Sequence, residues 1–189
     1  MESLWQGSFK GHLLMAMPGM MDFNFSQSLT LICEHNASGA MGVILDRVHI
    51  GLYASDIFEE LNIPHEPLMS KIPIHHGGPV HVDEIFVVHG PPFFWEGCLM
   101  VTPSIALSNT MDLLTAIAGE AGPRAFQISL GCAGWGEGQL EAELRHNAWL
   151  TCPATPQLVF EIPAEKRWET AMNKMGVDPN LLSNKPGHA

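Results

Sequence analysis

Cationic side chains are scarce in this chain. Nine Lys and Arg stand against 20 Asp and Glu in 189 residues, a formal net charge of −11. A nucleic-acid backbone is bound by a basic face that neutralises phosphates. Nine scattered cations do not build one, so no direct nucleic-acid partner is expected. The same shortage disfavours anionic membrane surfaces.

Cysteine is also sparse. Cys33, Cys98, Cys132 and Cys152 form no CxxC pair, and none has a His at zinc-finger spacing from a second Cys. They read as reduced thiols of a cytoplasmic protein. Long apolar runs are missing too. The run 13–21 is nine residues long and is broken by Pro18-Gly19. A membrane-spanning helix needs about 20 apolar residues. Beyond Lys10 there is no basic n-region, and no small-residue cleavage site follows, so the protein is expected to start near Met1 and to be soluble. Repeats, long linkers and low-complexity blocks are absent as well.

What is present suffices for one domain over the whole of 1–189, with a sizeable core: 46% of residues are hydrophobic and 15% charged. Strands are predicted at 12–17, 28–34, 40–46, 72–76, 85–89, 98–102, 126–130 and 149–152. In 28–34, Leu29, Leu31 and Cys33 share one face. Residues 36–39 read as a hairpin turn, with 34–36 at its mouth. Helices are predicted at 55–61 with Ser55 as N-cap, at 109–118 with Asn109 as N-cap, and at 138–146. A last helix over 165–175 sets Trp168, Ala171, Met172 and Met175 on one face and is closed by Gly176. Residues 180–189 read as a loose tail. Strands and helices are mixed without strict alternation, which fits an α+β domain.

The stretch 130–150 is the most distinctive, with its glycines, Trp135, Trp149 and three glutamates. A glycine-rich turn before a helix can cradle an anion with its N–H groups. Rossmann spacing fails because Gln139 stands where the third glycine belongs, and no Gly-Lys-Ser/Thr follows. Glu137 and Glu141 would repel a phosphate there. The other reading is a tight turn that lets Trp135 pack. On the following helix, Glu141 and Arg145 have the order of a surface i, i+4 ion pair.

Cys33-Glu34-His35-Asn36 combines a thiol, an acid, an imidazole and an amide, types suited to nucleophilic or general-base work. Neighbours on a strand point to opposite faces, so Cys33 belongs to the core and does not meet Glu34. His75-His76-Gly77-Gly78-Pro79-Val80-His81 holds three histidines. His75 and His76 diverge on a strand, so Gly77-Gly78-Pro79 reads as a tight turn whose backbone approaches a neighbour or ligand. No metal site and no cofactor are expected.

These segments together resemble the YqgE/AlgH family of bacterial proteins. The resemblance is carried by Lys10-Gly11-His12, Met15 to Met20, Cys33 to Asn36, Gly39 to Gly42, Gly77 to Val80, Leu130-Gly131, Ala133 to Trp135, Gly138 to Glu141, Asn147 to Leu150 and Gly187 to Ala189. It implies a single α+β domain with a bent, partly barrel-like mixed sheet flanked by helices. It implies no known reaction, and the family's occasional transcriptional-regulator label rests on indirect grounds. The chain departs from the family pattern at Asp46-Arg47-Val48, where Asn-Arg-Pro is common. It also departs at Cys132, where Tyr is common, and at His76, where Tyr or Phe is. Arg47 is retained.

Three functions follow as expectations. The first is a loop-built polar pocket for a small molecule or protein partner, lined by Glu34, His35, Asn36, Gly77, Gly78, Trp135, Gln139, Glu141 and Asn147, with a role left open for Arg47. The second is a hydrolase or transferase using His35 as general base, oriented by Glu34 or Glu141. The third is a regulatory interaction module with an apolar patch at Phe93-Phe94-Trp95.

Overall fold

The computed structural model describes residues 7–178. The expected tail at 180–189 and the Gly187 to Ala189 motif lie outside them. Ten strands form one curved sheet: β1 (His12–Ala16), β2 (Leu29–Asn36), β3 (Gly39–Ile44), β4 (Val48–Tyr53), β5 (Pro73–His76), β6 (Val80–His89), β7 (Leu99–Thr102), β8 (Ile105–Ser108), β9 (Phe126–Gly136) and β10 (Trp149–Pro153). The order is β10-β1-β2-β3-β9-β6-β8-β7, with β4 joined to β5 and β5 to β9. The β5–β9 pair is parallel and the others antiparallel, so the sheet is mixed. It bends until β7 packs on β2 without closing the hydrogen-bond ladder. Helices α1 (Ala54–Glu60), α2 (Met111–Ala118), α3 (Gln139–Arg145) and α4 (Ala164–Lys174) flank it. This is the expected α+β architecture with a bent, partly barrel-like sheet.

Alternation explains how β2 sits. Leu29, Leu31 and Cys33 all enter the main core, with Leu13, Met15, Val43, Leu45 and Met172. A second core fills the space between the sheet and α1 and α2, around Phe58, Ile74, Leu114 and Ile128. A third, under α3, joins Leu14, Ile32, Trp135, Leu140 and Trp149.

Several expectations are corrected. The glycine-rich segment 131–136 is strand rather than turn. It continues β9, with Gly42 opposite Ala133, Met41 opposite Gly134 and Ala40 opposite Trp135. Two strands went unread: β4 is largely exposed and interrupted by Gly51 at φ 77°, while β8 is a four-residue, fully buried run. Tyr53, not Ser55, is the N-cap of α1, and the Asp56 carboxylate accepts its N–H at 2.7 Å. Thr110, not Asn109, caps α2. In α4 Met175 is 46% exposed, because it is the C-cap residue where the helix ends, and Arg167 is buried instead. Gly176, at φ 73°, closes α4 as expected.

Gly77 and Gly78 act by close approach. A Cβ on Gly77 would run into the carbonyl oxygen of Gly131, and one on Gly78 into that of Cys132. Backbone therefore packs directly on backbone where β5 leaves β9.

Candidate functional site

The residues singled out on β2 divide between the two faces of the strand. Glu34 and Asn36 are exposed, while His35 is buried between them. A hollow of about 220 Å³ opens at the hairpin mouth, lined by Glu34, Asn36, Ser38, Gly39, Ala40, Met41 and Trp135. The turn is held by the Asn36 Oδ1, which accepts the Ser38 N–H at 2.8 Å. Gly39, at φ 136°, lies so close to the Trp135 carbonyl that no side chain fits there.

His35 points the other way and meets Glu141 of α3, with Nε2 3.0 Å from Oε1. Their side chains are 1% and 24% exposed. The Phe9 N–H donates to His35 Nδ1 at 2.9 Å, so Nδ1 carries the lone pair and Nε2–H donates to the carboxylate. Ser8 Oγ–H donates to the His35 carbonyl at 3.0 Å. Among the described residues, the ion pair of Glu141 is this one. The expected Glu141–Arg145 pair does not form, because the glutamate faces the sheet rather than solvent.

Gln139 and Trp135 belong to a third arrangement, centred on Glu143. Glu143 Oε2 accepts the indole N–H of Trp135 at 3.0 Å and that of Trp149 at 2.7 Å. Its Oε1 accepts from Gln139 Nε2 at 2.9 Å, and Gln139 Oε1 accepts the Gly136 N–H at 3.0 Å. Gly138, in a left-handed conformation, turns the chain into α3 and sets these side chains against the sheet. Glu143 was not among the expected site residues.

The remaining candidates lie elsewhere. Arg47 donates to the carbonyls of Phe23 and Ser26, both at 2.7 Å, and so ties down the loop before β2. Asn147 takes a left-handed turn conformation between α3 and β10. His75 is buried, His76 stacks on His49 with ring centroids 4.8 Å apart, and His81 pairs with Glu84 at 3.0 Å. Phe94 is 76% exposed and lies 4.7 Å from the Trp95 ring.

A polar group inside the main core also escaped the sequence reading. Arg167 donates to the carbonyls of Leu45 and Ile162 and to Gln127 Oε1. Burial pushes the Asp46 carboxyl up to about 7, against the pull of its Leu29 N–H bond and of Arg47 and Arg167. Burial, reinforced by Arg167, pushes the His75 imidazole down to about 4. The signal available was position: Arg167 stands one turn before Ala171 on the face that α4 buries.

The AlgH-like family model matches residues 13–180. A UPF0301 protein of Desulforapulum autotrophicum is 46% identical over 183 residues, covering 97% of each chain. One of Chromobacterium violaceum is 44% identical over 190 residues, covering 100% of each. Among solved structures, the solution structure of AlgH from Pseudomonas aeruginosa is 42% identical with a TM-score of 0.80 over 100% of both chains. The crystal structure of protein DIP2367 from Corynebacterium diphtheriae shares the fold at 20% identity, with a TM-score of 0.74 over 98% of this chain and 95% of that one. The chain belongs to the AlgH-like family.

Proposed function

We propose that this protein is a cytoplasmic binding module whose hairpin mouth takes a basic side chain of a protein partner. The observation that carries this reading is the hollow beside Glu34. It joins an exposed carboxylate, an amide and a hydroxyl to the apolar stem of Met41, which suits an ammonium or guanidinium on an aliphatic stem. At about 220 Å³ the hollow is smaller than usual small-molecule pockets of roughly 300–1,000 Å³ and matches one inserted side chain. The net charge of −11 steers cationic partners toward the protein and nucleic acids away from it. The four free cysteines accord with a reducing compartment.

The pairing of His35 with Glu141 favours a second reading, a general base oriented by a carboxylate. That role requires a lone pair facing substrate. The lone pair is on Nδ1 and is taken by the Phe9 N–H, on a side chain 1% exposed. Of the glycines expected to steady an anion, Gly134 and Gly136 stand in the β3–β9 ladder, and the Gly136 N–H already donates to Gln139 Oε1. Binding is therefore the better supported reading.

Titration of ¹⁵N-labelled protein with N-acetyl-arginine amide and N-acetyl-lysine amide tests it. Shifts confined to residues 34–41 and 135, and lost in Glu34→Gln, are the expected result. Shifts scattered over the surface, or unchanged in Glu34→Gln, would refute the assignment.

A further inference from the structure

The ladder between β6 and β9 is interrupted. Val80 stands opposite Cys132 and Ile85 opposite Leu130, so residues 81–84 of β6 arch out against a single residue of β9, Gly131. On the other side β8 pairs only with Val87, Val88 and His89. Among the described residues the arch therefore has no cross-strand partner on either edge. Between the arch and the C-terminal end of α1 lies a cleft of about 190 Å³. Ile57, Leu61, Ile85 and Leu130 give it apolar walls, and Glu60 and Asp83 bring two carboxylates. Neither carboxylate makes a hydrogen bond or ion pair among the described residues. No Lys or Arg lines the cleft. α1 ends on Glu59 and Glu60 with no basic residue in its last turn, so the negative end of the helix dipole adds to these charges. Leu61 and Val82, which also face the cleft, are 37% and 50% exposed.

We infer that this cleft docks an extended segment of a partner polypeptide in which one bulky apolar residue is flanked by Lys or Arg. The apolar side chain enters between α1 and β6. At about 190 Å³ the cleft is below the roughly 300–1,000 Å³ of usual small-molecule pockets and holds one such side chain. The flanking cations meet the unpaired carboxylates of Glu60 and Asp83, a match of charge that also rejects acidic segments. The backbone of the segment adds as a strand to the unpaired arch 81–84. Three separate features of the cleft thus name three features of its occupant. The apolar walls select the central residue, the carboxylates select its neighbours, and the open strand edge selects an extended chain. The cleft shares no lining residue with the hairpin hollow and does not rest on the function proposed for it.

The test is titration of the ¹⁵N-labelled full chain with the peptide acetyl-Thr-Lys-Leu-Arg-Thr-amide. It is done in the Glu34→Gln variant, so that the hairpin hollow does not contribute. Saturable shifts confined to residues 57–61, 80–85 and 130 are the expected result. Glu60→Gln with Asp83→Asn, both at exposed side chains without partners, should weaken binding about three- to tenfold. Serine in place of the peptide's leucine, or glutamate in place of its two cations, should abolish saturation. Successive N–H groups of a strand point to opposite edges, so N-methylation at the leucine and at the following arginine should differ, one weakening binding and the other not. No saturable shift at the cleft, or an affinity unchanged by the double substitution or by the serine peptide, overturns the proposal. Equal affinity for the two N-methylated peptides overturns strand addition. Shifts in the wild type at residues 34–41 and 135 alone would support the hollow and overturn the cleft, so the two readings fail separately.

Discussion

His35 Nε2 and Glu141 Oε1, 106 residues apart in the chain, lie 3.0 Å from each other and join the β2–β3 hairpin to α3. The imidazole is clasped on its other side by the Phe9 N–H. One buried ring thus links the start of the described chain, a central strand and the helix that follows β9. Glu141→Ala should lower stability by about 1.5–3 kcal/mol, the range for a hydrogen bond to a charged group. His35→Ala should cost at least as much, because the Phe9 N–H is left without its acceptor. Chemical denaturation of both variants and of the double variant measures the coupling.

Glu143 satisfies three N–H donors, two of them indoles. Glu143→Ala should therefore cost about 2–4 kcal/mol, since each stranded buried donor costs roughly 1–3 kcal/mol. Tryptophan fluorescence should change with it, as Trp135 and Trp149 lose a shared anion. An unaltered emission spectrum and midpoint would mean the network does not hold the two rings in solution.

Asp46 and His75 make opposite contributions to the pH dependence of stability. Folding raises the Asp46 carboxyl from 3.8 to about 7. Between those pH values the native state holds a proton that the unfolded chain has lost, so this group's stability is fully present below pH ~4 and is lost as pH rises to ~7. Folding lowers His75 from 6.5 to about 4. Its contribution is present above pH ~6.5 and is lost as pH falls to ~4. Asp46→Asn keeps the shape and removes the first term. The variant should gain on the wild type by up to about 1.4 kcal/mol per pH unit between pH ~4 and ~7, and then hold that gain. Urea denaturation at pH 4, 5.5, 7 and 8 checks it. An advantage that does not grow with pH would show that Asp46 is ionised in the folded protein. Asn is also the residue common at this place in the family pattern that the chain resembles.

Two glycines separate close packing from conformational strain. Gly77→Ala drives a Cβ into the Gly131 carbonyl and should cost more than ~3 kcal/mol or prevent folding. Gly51→Ala, at φ 77° with open space around it, should cost only about 1–2 kcal/mol. Equal effects, read from thermal midpoints, would contradict the backbone-on-backbone contact.

The period of two in 28–33 made the start of β2 legible, with Leu29, Leu31 and Cys33 inward, but a bulge between Ile32 and Glu34 breaks that period, so the faces taken by Glu34, His35 and Asn36 were not legible from it. The continuation of β9 through 131–136 was not legible, because glycines carry no side-chain periodicity and resemble turn residues. Gly77 and Gly78 were readable as a close approach, but their partners Gly131 and Cys132 were not. Glu143 was hidden because its partners, Trp135 and Trp149, look apolar in a sequence. His35 could be recognised as special. Its partner required the tertiary fold, since i, i+4 reasoning assigned Glu141 to Arg145.

His35 is a structural link whose lone pair is already engaged by the Phe9 N–H. The most direct measurement is the tautomer of His35, read from long-range ¹H–¹⁵N correlations of the imidazole in the native protein. The expected result is a proton on Nε2, protected from exchange, with Nδ1 unprotonated and hydrogen-bonded to the Phe9 N–H. A proton on Nδ1, or an Nε2 lone pair open to solvent, would contradict the account and return His35 to the position of a general base.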